Sequence, residues 1–229
     1  MNDSPPIILA GSRPWNRTEI DKLSISRKVI EVSTREELDN ALKLNASIRF
    51  IFFLHWSHIV PLRITDNYEC VCFHMTDLPY GRGGSPLQNL IARGHKETKL
   101  TAFRMVQVLD GGPVYLKQTL SLNGSTAEEI YMRASALSCK MIMQILDEGI
   151  EPQEQLGEVV EFARRTPEQS ALPVTANLDI IYDHIRMLDA EGYPHAFLDV
   201  GNLHLEFTRS SRYDGKIFAN VQITRINYK

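Results

Sequence analysis

The chain is 229 residues long, enough for one good-sized core or for one domain carrying a small appendage. Its 25 Lys and Arg against 28 Asp and Glu leave a formal charge of −3, which argues against a strongly basic nucleic-acid surface while leaving room for a local patch. Apolar residues at 43% and charged residues at 23% exclude wholesale disorder, and no apolar run approaches the roughly 20 residues that a bilayer requires.

The opening residues, MNDSPPIILAGSRPW, carry neither a basic leader nor a long apolar stretch, so no secretory signal is expected and a cytoplasmic location is. Three Cys fit a reducing compartment. Cys70 and Cys72, on one predicted strand, are read as facing opposite sides and so as poorly placed to bridge.

Pro5 and Pro6 introduce Ile7–Ala10, a short apolar run that reads as a buried strand ending at Gly11. A polar turn from Ser12 to Asn16 and a helix near residues 18–23 follow. Val29–Val32 reads as a second strand. Ser33 and Glu36 then have the spacing of a capping box, and Leu38, Ala41 and Leu42 have helical apolar spacing. Third and fourth strands are predicted at residues 48–54 and 70–73. Strands alternating with helices predict right-handed crossovers and a mostly parallel sheet. Gly11-Ser12-Arg13-Pro14 lacks the glycine series of a dinucleotide site.

Residues 125–146 read as a long helix, with Ser125 and Glu128 as a second capping box and Ile130, Ala134, Leu137, Met141 and Ile145 at three- and four-residue steps. Met141 and Met143 read as core filler. After Gly149 an extended polar segment is expected, then a helix at residues 178–190. Alternating runs at 203–207 and 217–223 flank Asp214-Gly215, a hairpin signal. The predicted class is α/β: a Rossmann-like, mostly parallel sheet flanked by helices, with a small C-terminal helix and β-hairpin appendage. Residues 1–175 would form the main domain and 176–229 the appendage.

The densest group of unusual residues follows the fourth strand. His74 falls where ligands bind in open α/β sheets, beyond a strand's carboxyl end. The loop after it holds Pro79, Gly81, Gly83, Gly84 and Pro86, a composition that exposes backbone amides. Asp110 ends an apolar run at 105–109 and precedes Gly111-Gly112-Pro113; an Asp beside a His fixes its tautomer and favours its charged form. An ordinary turn-initiating Asp is the alternative reading. His55 and His58 flank Trp56 without a local carboxylate, and no zinc-like His/Cys spacing occurs, so no metal is expected.

FHMTDLPYGRGGSP, then LDGGPVYLK and LSLNGSTAEEIYMRA, resembles the formyltransferases that use 10-formyltetrahydrofolate. IFFLHWSHIVP, FHMTDLPYGRGGSPLQNLI and DHIRMLDAEGYPHAF are similar to the sugar N-formyltransferases of pseudaminic-acid-like pathways. The resemblance covers most of the chain and is strongest at residues 50–133. It implies that His74 is the catalytic histidine and Asp110 the catalytic aspartate, while the family's asparagine two residues before the histidine falls on Cys72. Asn donates an amide hydrogen bond to a developing oxyanion, and a thiol is a weak donor.

The same resemblance implies a folate pocket at Phe53, His55, Trp56, Leu78, Pro79, Arg82, Gly83 and Leu87. It further implies formyl transfer to the 4-amino group of a nucleotide-linked amino sugar, UDP-linked in the first instance and dTDP-linked as the alternative, for cell-surface polysaccharide biosynthesis. Arg104, Lys117, Arg164, Arg165, Arg186 and Tyr193 are the candidates by type for a pyrophosphate and a base. A homodimer is a further possibility. Two alternatives stand beside this: a methionyl-tRNA formyltransferase-like enzyme, and a non-catalytic nucleotide-sugar-binding homologue. The RNA reading is set aside because only 53 residues follow Ala176, too few for an RNA-binding barrel, and the net charge is negative.

Overall fold

The structure is a computed structural model that describes residues 4–11, 13–56 and 58–226. Ser12, placed in the predicted polar turn, lies outside the described residues. In chain order the elements are β1 (Ile7–Ala10), α1 (Arg17–Ser26), β2 (Val29–Val32), α2 (Arg35–Leu44), β3 (Phe50–Phe53), α3 (Leu62–Thr65), β4 (Glu69–His74), β5 (Tyr80–Gly83), α4 (Pro86–Ala92), β6 (Glu97–Arg104), β7 (Val114–Ser121), α5 (Ala127–Glu148), β8 (Val160–Phe162), α6 (Leu178–Arg186), β9 (Ala196–Val200), β10 (Leu203–Tyr213) and β11 (Lys216–Arg225). They fall into two compact units. One comprises Met1–Arg82, Lys99–Leu120 and Met132–Glu161; the other comprises Gly83–Thr98, Ser121–Tyr131 and Phe162–Lys229.

The first unit is built on a six-stranded sheet of order β2-β1-β3-β4-β6-β7. All four residues of β1 are buried, as expected for a continuous apolar run in a strand covered on both faces. β1 pairs in parallel with β2 and β3, β3 pairs in parallel with β4, and β6 runs antiparallel to β4. The α/β expectation with a mostly parallel sheet therefore holds. Ile8, Ala10, Val32, Leu38, Ile51, Phe53, Ile64 and Cys70 make one core cluster, with Cys72, Trp56 and Met105 packed against it.

That cluster corrects the reading of the cysteines. Residues two apart on a strand share a face, because the pleat repeats every two residues, and Cys70 and Cys72 meet the same cluster. All three thiols are free.

The register positions the site. Ala10 lies beside Val32 and Phe53, and Phe53 beside Cys72, so β4 continues two residues past that row to put His74 beyond its neighbours. The apolar run at 105–109 belongs to no strand: β6 ends at Arg104, and Val108 and Leu109 are exposed in the connection to β7.

Both predicted capping boxes are displaced by one residue. Thr34 and Glu37, not Ser33 and Glu36, close the box at α2. At α5 the Glu129 amide donates to Thr126 Oγ1 (3.2 Å), while Glu129 Oε2 accepts from the Ser125 amide (2.8 Å).

In the second unit, β10 and β11 form the predicted hairpin, turning at Asp214-Gly215, with Gly215 at φ +69°. The strands run longer than predicted, and β9, which was not predicted, pairs antiparallel with β10 to complete a three-stranded sheet. A bulge at Arg209 (φ +50°) shifts the hairpin register, and the Arg209 amide donates to Asp189 Oδ2 (2.6 Å). α6 starts under an Asn177 cap, whose side chain accepts from the Ile180 amide, and ends at Arg186, four residues before the predicted end. Among the described residues no helix is long and apolar enough to cross a membrane.

Candidate active site

The carboxyl ends of β1, β3 and β4 carry a concentrated set of polar and aromatic groups. His74 is buried, and its Nε2 lies 2.8 Å from the Gly81 carbonyl oxygen. A carbonyl only accepts, so Nε2 carries the proton and Nδ1 is left bare in the neutral ring. Nδ1 faces the Asp110 carboxylate at 3.7 Å, and the two side chains are 9% and 13% exposed. Two acceptors thus oppose one another until a proton arrives at Nδ1. A proton placed on Nδ1 lets the ring donate both ways.

Asp110 reaches this position through a left-handed backbone (φ +49°), uncommon for a residue with a side chain. Gly112 behind it is obligatory: a Cβ there would stand 1.8 Å from the Arg104 carbonyl oxygen. The Gln155 amide secures the turn. Its Nε2 donates to the carbonyls of Asp110 and Gly112, each at 2.8 Å. Its Oε1 accepts from Arg82 Nε (3.2 Å) and Nη2 (2.7 Å).

Cys72 shares the strand face of His74, two residues before it. Burial first, and the Asp110 charge second, push its thiol up to about 12, so it stays a neutral S–H in any ordinary buffer. That state excludes a thiolate nucleophile and leaves only a weak donor.

His55 also stands in the left-handed region (φ +54°). Trp15 Nε1–H donates to its Nδ1 at 3.4 Å, and burial, with Arg13 adding to it, lowers the ring to about 4. It is a neutral imidazole. Trp56 packs edge-on against Phe53, with 5.7 Å between centroids, and its buried Nε1 finds no acceptor among the described residues.

The remaining sequence-predicted residues divide by environment. Phe53 and Leu78 are fully buried core side chains; Pro79 follows Leu78 through a cis peptide bond. Arg82 is engaged by Gln155. Arg104 is committed to Glu69 (Nε 2.5 Å, Nη2 2.9 Å), at the end of β4 opposite His74. Lys117 bonds Asp77 (2.6 Å) and the Leu78 carbonyl, bracing the turn after His74.

In the second unit, Gly83 (φ +105°) leaves no room for a Cβ, which would stand 2.5 Å from the Phe162 carbonyl oxygen, and Leu87 is fully buried. Arg186, 3% exposed, bonds Asp183 (2.6 Å) and the carbonyls of Leu122 (2.8 Å) and Gly124 (3.3 Å). Tyr193 stacks on Tyr131, and the Arg165 amide donates to Ser85 Oγ (3.1 Å). Sequence reasoning missed Gln155, Arg13 and Trp15. Gln155 lies in an aperiodic polar run, which gives no signal; Arg13 and Trp15 follow a buried strand's carboxyl end, a position that could have marked them.

Comparison with known proteins completes the picture. A family profile described as the methionyl-tRNA formyltransferase C-terminal domain matches residues 167–224. A solved structure titled methionyl-tRNA formyltransferase from Clostridium thermocellum is 45% identical, with a TM-score of 0.93 over 97% of this chain and 100% of that one. A methionyl-tRNA formyltransferase from Bacillus pumilus is 27% identical over 184 residues, 77% of this chain and 57% of the relative. The chain therefore spans little more than half the length of that curated relative. HypX from Aquifex aeolicus, solved in complex with tetrahydrofolic acid, shares the fold at 14% identity, with a TM-score of 0.75 over 90% of this chain and 37% of that one.

A strand-end His–Asp pair on this α/β sheet thus stands beside relatives of these names. The chain belongs to the formyltransferase family.

The amino-sugar expectation is overturned by the 45% identity to a protein of the other title and by the profile at 167–224. The length argument behind it fails because those residues fold as a small helix-and-sheet unit where a barrel was assumed to be necessary. The charge argument against nucleic acid fails as well, since a net charge says nothing about where the 25 cations stand.

Proposed function

We propose that the chain transfers the formyl group of 10-formyltetrahydrofolate to the amine of methionyl-tRNA. The observation that carries this reading is the 45% identity, across both chains almost end to end, to a protein titled for that activity. The folate-bound HypX supports the choice of donor at the level of the fold.

The residues at the strand ends fit such a donor. Trp56 offers a buried indole N–H without an acceptor, and Pro79 and the left-handed His55 give rigid, partly apolar surroundings suited to a flat ring. Bound there, the folate supplies an acyl carbon that an amine can attack. In the transfer, the amine–carbon bond forms, the carbon–N10 bond breaks, and the proton lost by the amine must reach N10.

His74 is suited to carry that proton at Nδ1, the ring nitrogen not already donating. Protonation there turns the opposed acceptors into an N–H that faces the Asp110 carboxylate. Gly81 holds the ring in the tautomer that leaves Nδ1 available. Cys72, a neutral thiol on the same strand face, gives weaker oxyanion stabilisation than the family's asparagine.

The test is formylation of methionyl-tRNA with 10-formyltetrahydrofolate. Wild type should turn over, and His74→Ala should lose about 10²- to 10⁴-fold in kcat. Failure of wild type to formylate methionyl-tRNA sinks the substrate; full activity in His74→Ala sinks the site.

A further inference from the structure

The contacts around His74 close on themselves. His74 donates to the carbonyl of Gly81; the next residue, Arg82, holds Gln155 with two donors; Gln155 holds the carbonyls of Asp110 and Gly112; Asp110 faces His74 again. From this ring we infer that Gln155 is a positioning residue for the formyl transfer: through its side-chain amide it fixes the distance and direction of the Asp110 carboxylate toward His74. The inference rests on the proposed reading of the site and names a residue that the family motif does not contain.

Three observations carry it. First, the Gln155 amide is fully used. Both of its N–H groups meet backbone carbonyls, and its oxygen meets two N–H groups of one guanidinium, so the side chain has a single orientation.

Second, what it holds is a turn of unusual shape. Residue 110 has the uncommon left-handed backbone, and two glycines follow it. Tying both the 110 and 112 carbonyls fixes the turn on either side of the peptide that aims the carboxylate. Arg82 lies along the same turn; a Cβ on Gly111 would stand 3.4 Å from its Nη1.

Third, Gln155 is itself anchored, although it lies between regular elements. Gln153 exchanges backbone bonds with Val114 (2.6 and 2.8 Å), and the Val160 amide donates to the Pro79 carbonyl (3.3 Å). Leu156, the next residue, is exposed, while the glutamine side chain is turned inward to the turn.

Gly81 and Arg82 are consecutive in β5. The same strand therefore sets the His74 ring on one side and, through Gln155, the Asp110 carboxylate on the other. A displacement of about 1 Å between reacting groups costs about 10²-fold in rate, so this linkage has a kinetic consequence.

Gln155→Met keeps the length and removes every polar contact. Gln155→Glu keeps the Arg82 contact but sets a carboxylate against two carbonyls. For both variants we expect kcat for methionyl-tRNA formylation to fall about 10- to 100-fold, with KM for 10-formyltetrahydrofolate changed less than about twofold. Arg82→Met should do the same, and the Arg82→Met/Gln155→Met double variant should be no worse than either single one, since both break one linkage.

Imidazole ¹⁵N spectra give a readout that needs no turnover, with His74 assigned from the spectrum of His74→Gln. The Nδ1 resonance in Gln155→Met should move from its wild-type position toward that of Asp110→Asn. A Gln155→Met protein with wild-type kcat, or with an Nδ1 resonance coincident with wild type, overturns the inference. So does a double variant whose losses multiply. If wild type does not formylate methionyl-tRNA, the substrate reading falls while the Nδ1 comparison still decides the role of Gln155.

Discussion

The two ends of β4 each hold a carboxylate beside a cationic or cation-forming side chain, and they are finished differently. At its start, Glu69 accepts from Arg104 through two nitrogens and from the Tyr115 hydroxyl as well. The bond to Glu69 keeps the Arg104 proton in place, and burial, with Glu69 adding to it, pushes Tyr115 up. At its end, His74 and Asp110 stand 3.7 Å apart with a bare nitrogen facing a carboxylate. One cluster is closed by short contacts; in the other the facing atoms stand farther apart than a hydrogen bond. A short-bonded ion cluster is architecture, and the longer pair at the far end of the same strand leaves more room for proton chemistry.

The largest test of that contrast exchanges one carboxylate at each end. Asp110→Asn should lower kcat for formylation about 10²- to 10³-fold, with a smaller loss of urea stability than at Glu69, because its 3.7 Å contact with His74 is longer than those Glu69 makes with Arg104. Glu69→Gln should leave kcat within about twofold and cost about 1–2 kcal/mol in urea unfolding. The discount reflects an Arg104 side chain that is 39% exposed and so screened by solvent. If both variants lose activity alike, or both lose stability alike, the two ends do not differ as their bonding says.

His55 sharpens the comparison, since it lies in the group of residues at the strand ends near His74 yet is held neutral. Its ring is lowered to about 4, chiefly by burial, against an ordinary value of 6.5. Between those values the unfolded chain binds a proton that the folded chain refuses. The stabilising contribution is therefore full above about 6.5 and is lost as pH falls through about 4. His55→Asn suits the left-handed backbone and removes the titration. Its stability should fall less steeply below pH 6.5 than that of wild type, by up to one proton, about 1.4 kcal/mol per pH unit. Equal acid slopes in the two proteins would show that His55 takes up its proton in the fold.

The same contrast explains what the sequence discloses. His74 and Asp110 are legible because strand ends and glycine turns are local signals. Gln155 is not, because its importance depends on chain 73 residues away at Arg82 and 45 away at Asp110. Trp15 and His55 meet across 40 residues, and no short pattern announces their contact. The parallel sheet is legible because β1 is apolar at all four positions. β9 is not, because Ala196-Phe197-Leu198-Asp199-Val200 loses burial along its length and shows no alternation. The acceptor was misread for a further reason: length and net charge are whole-chain sums, and recognition is carried by particular surfaces.

The smallest effect separates two neighbouring hydroxyls, and it shows how a local signal can be right in kind and wrong in register. Ser33-Thr34 and Ser125-Thr126 each precede a pair of glutamates, 36–37 and 128–129, so each segment contains two equally spaced capping boxes. Spacing cannot choose between them. Packing does: β2 extends through Val32, and Leu38 and Ala41 must face the core, which starts α2 at Arg35 and leaves Thr34 as the cap. Ser33 contributes only its backbone N–H, which donates to Glu37 Oε2 at 2.6 Å. Thr34→Ala should therefore cost about 1 kcal/mol in urea unfolding and Ser33→Ala about 0.5 kcal/mol or less, with the same ordering for Thr126→Ala over Ser125→Ala. A reversed order at either helix would restore the register that spacing alone suggests and move that helix start back by one residue.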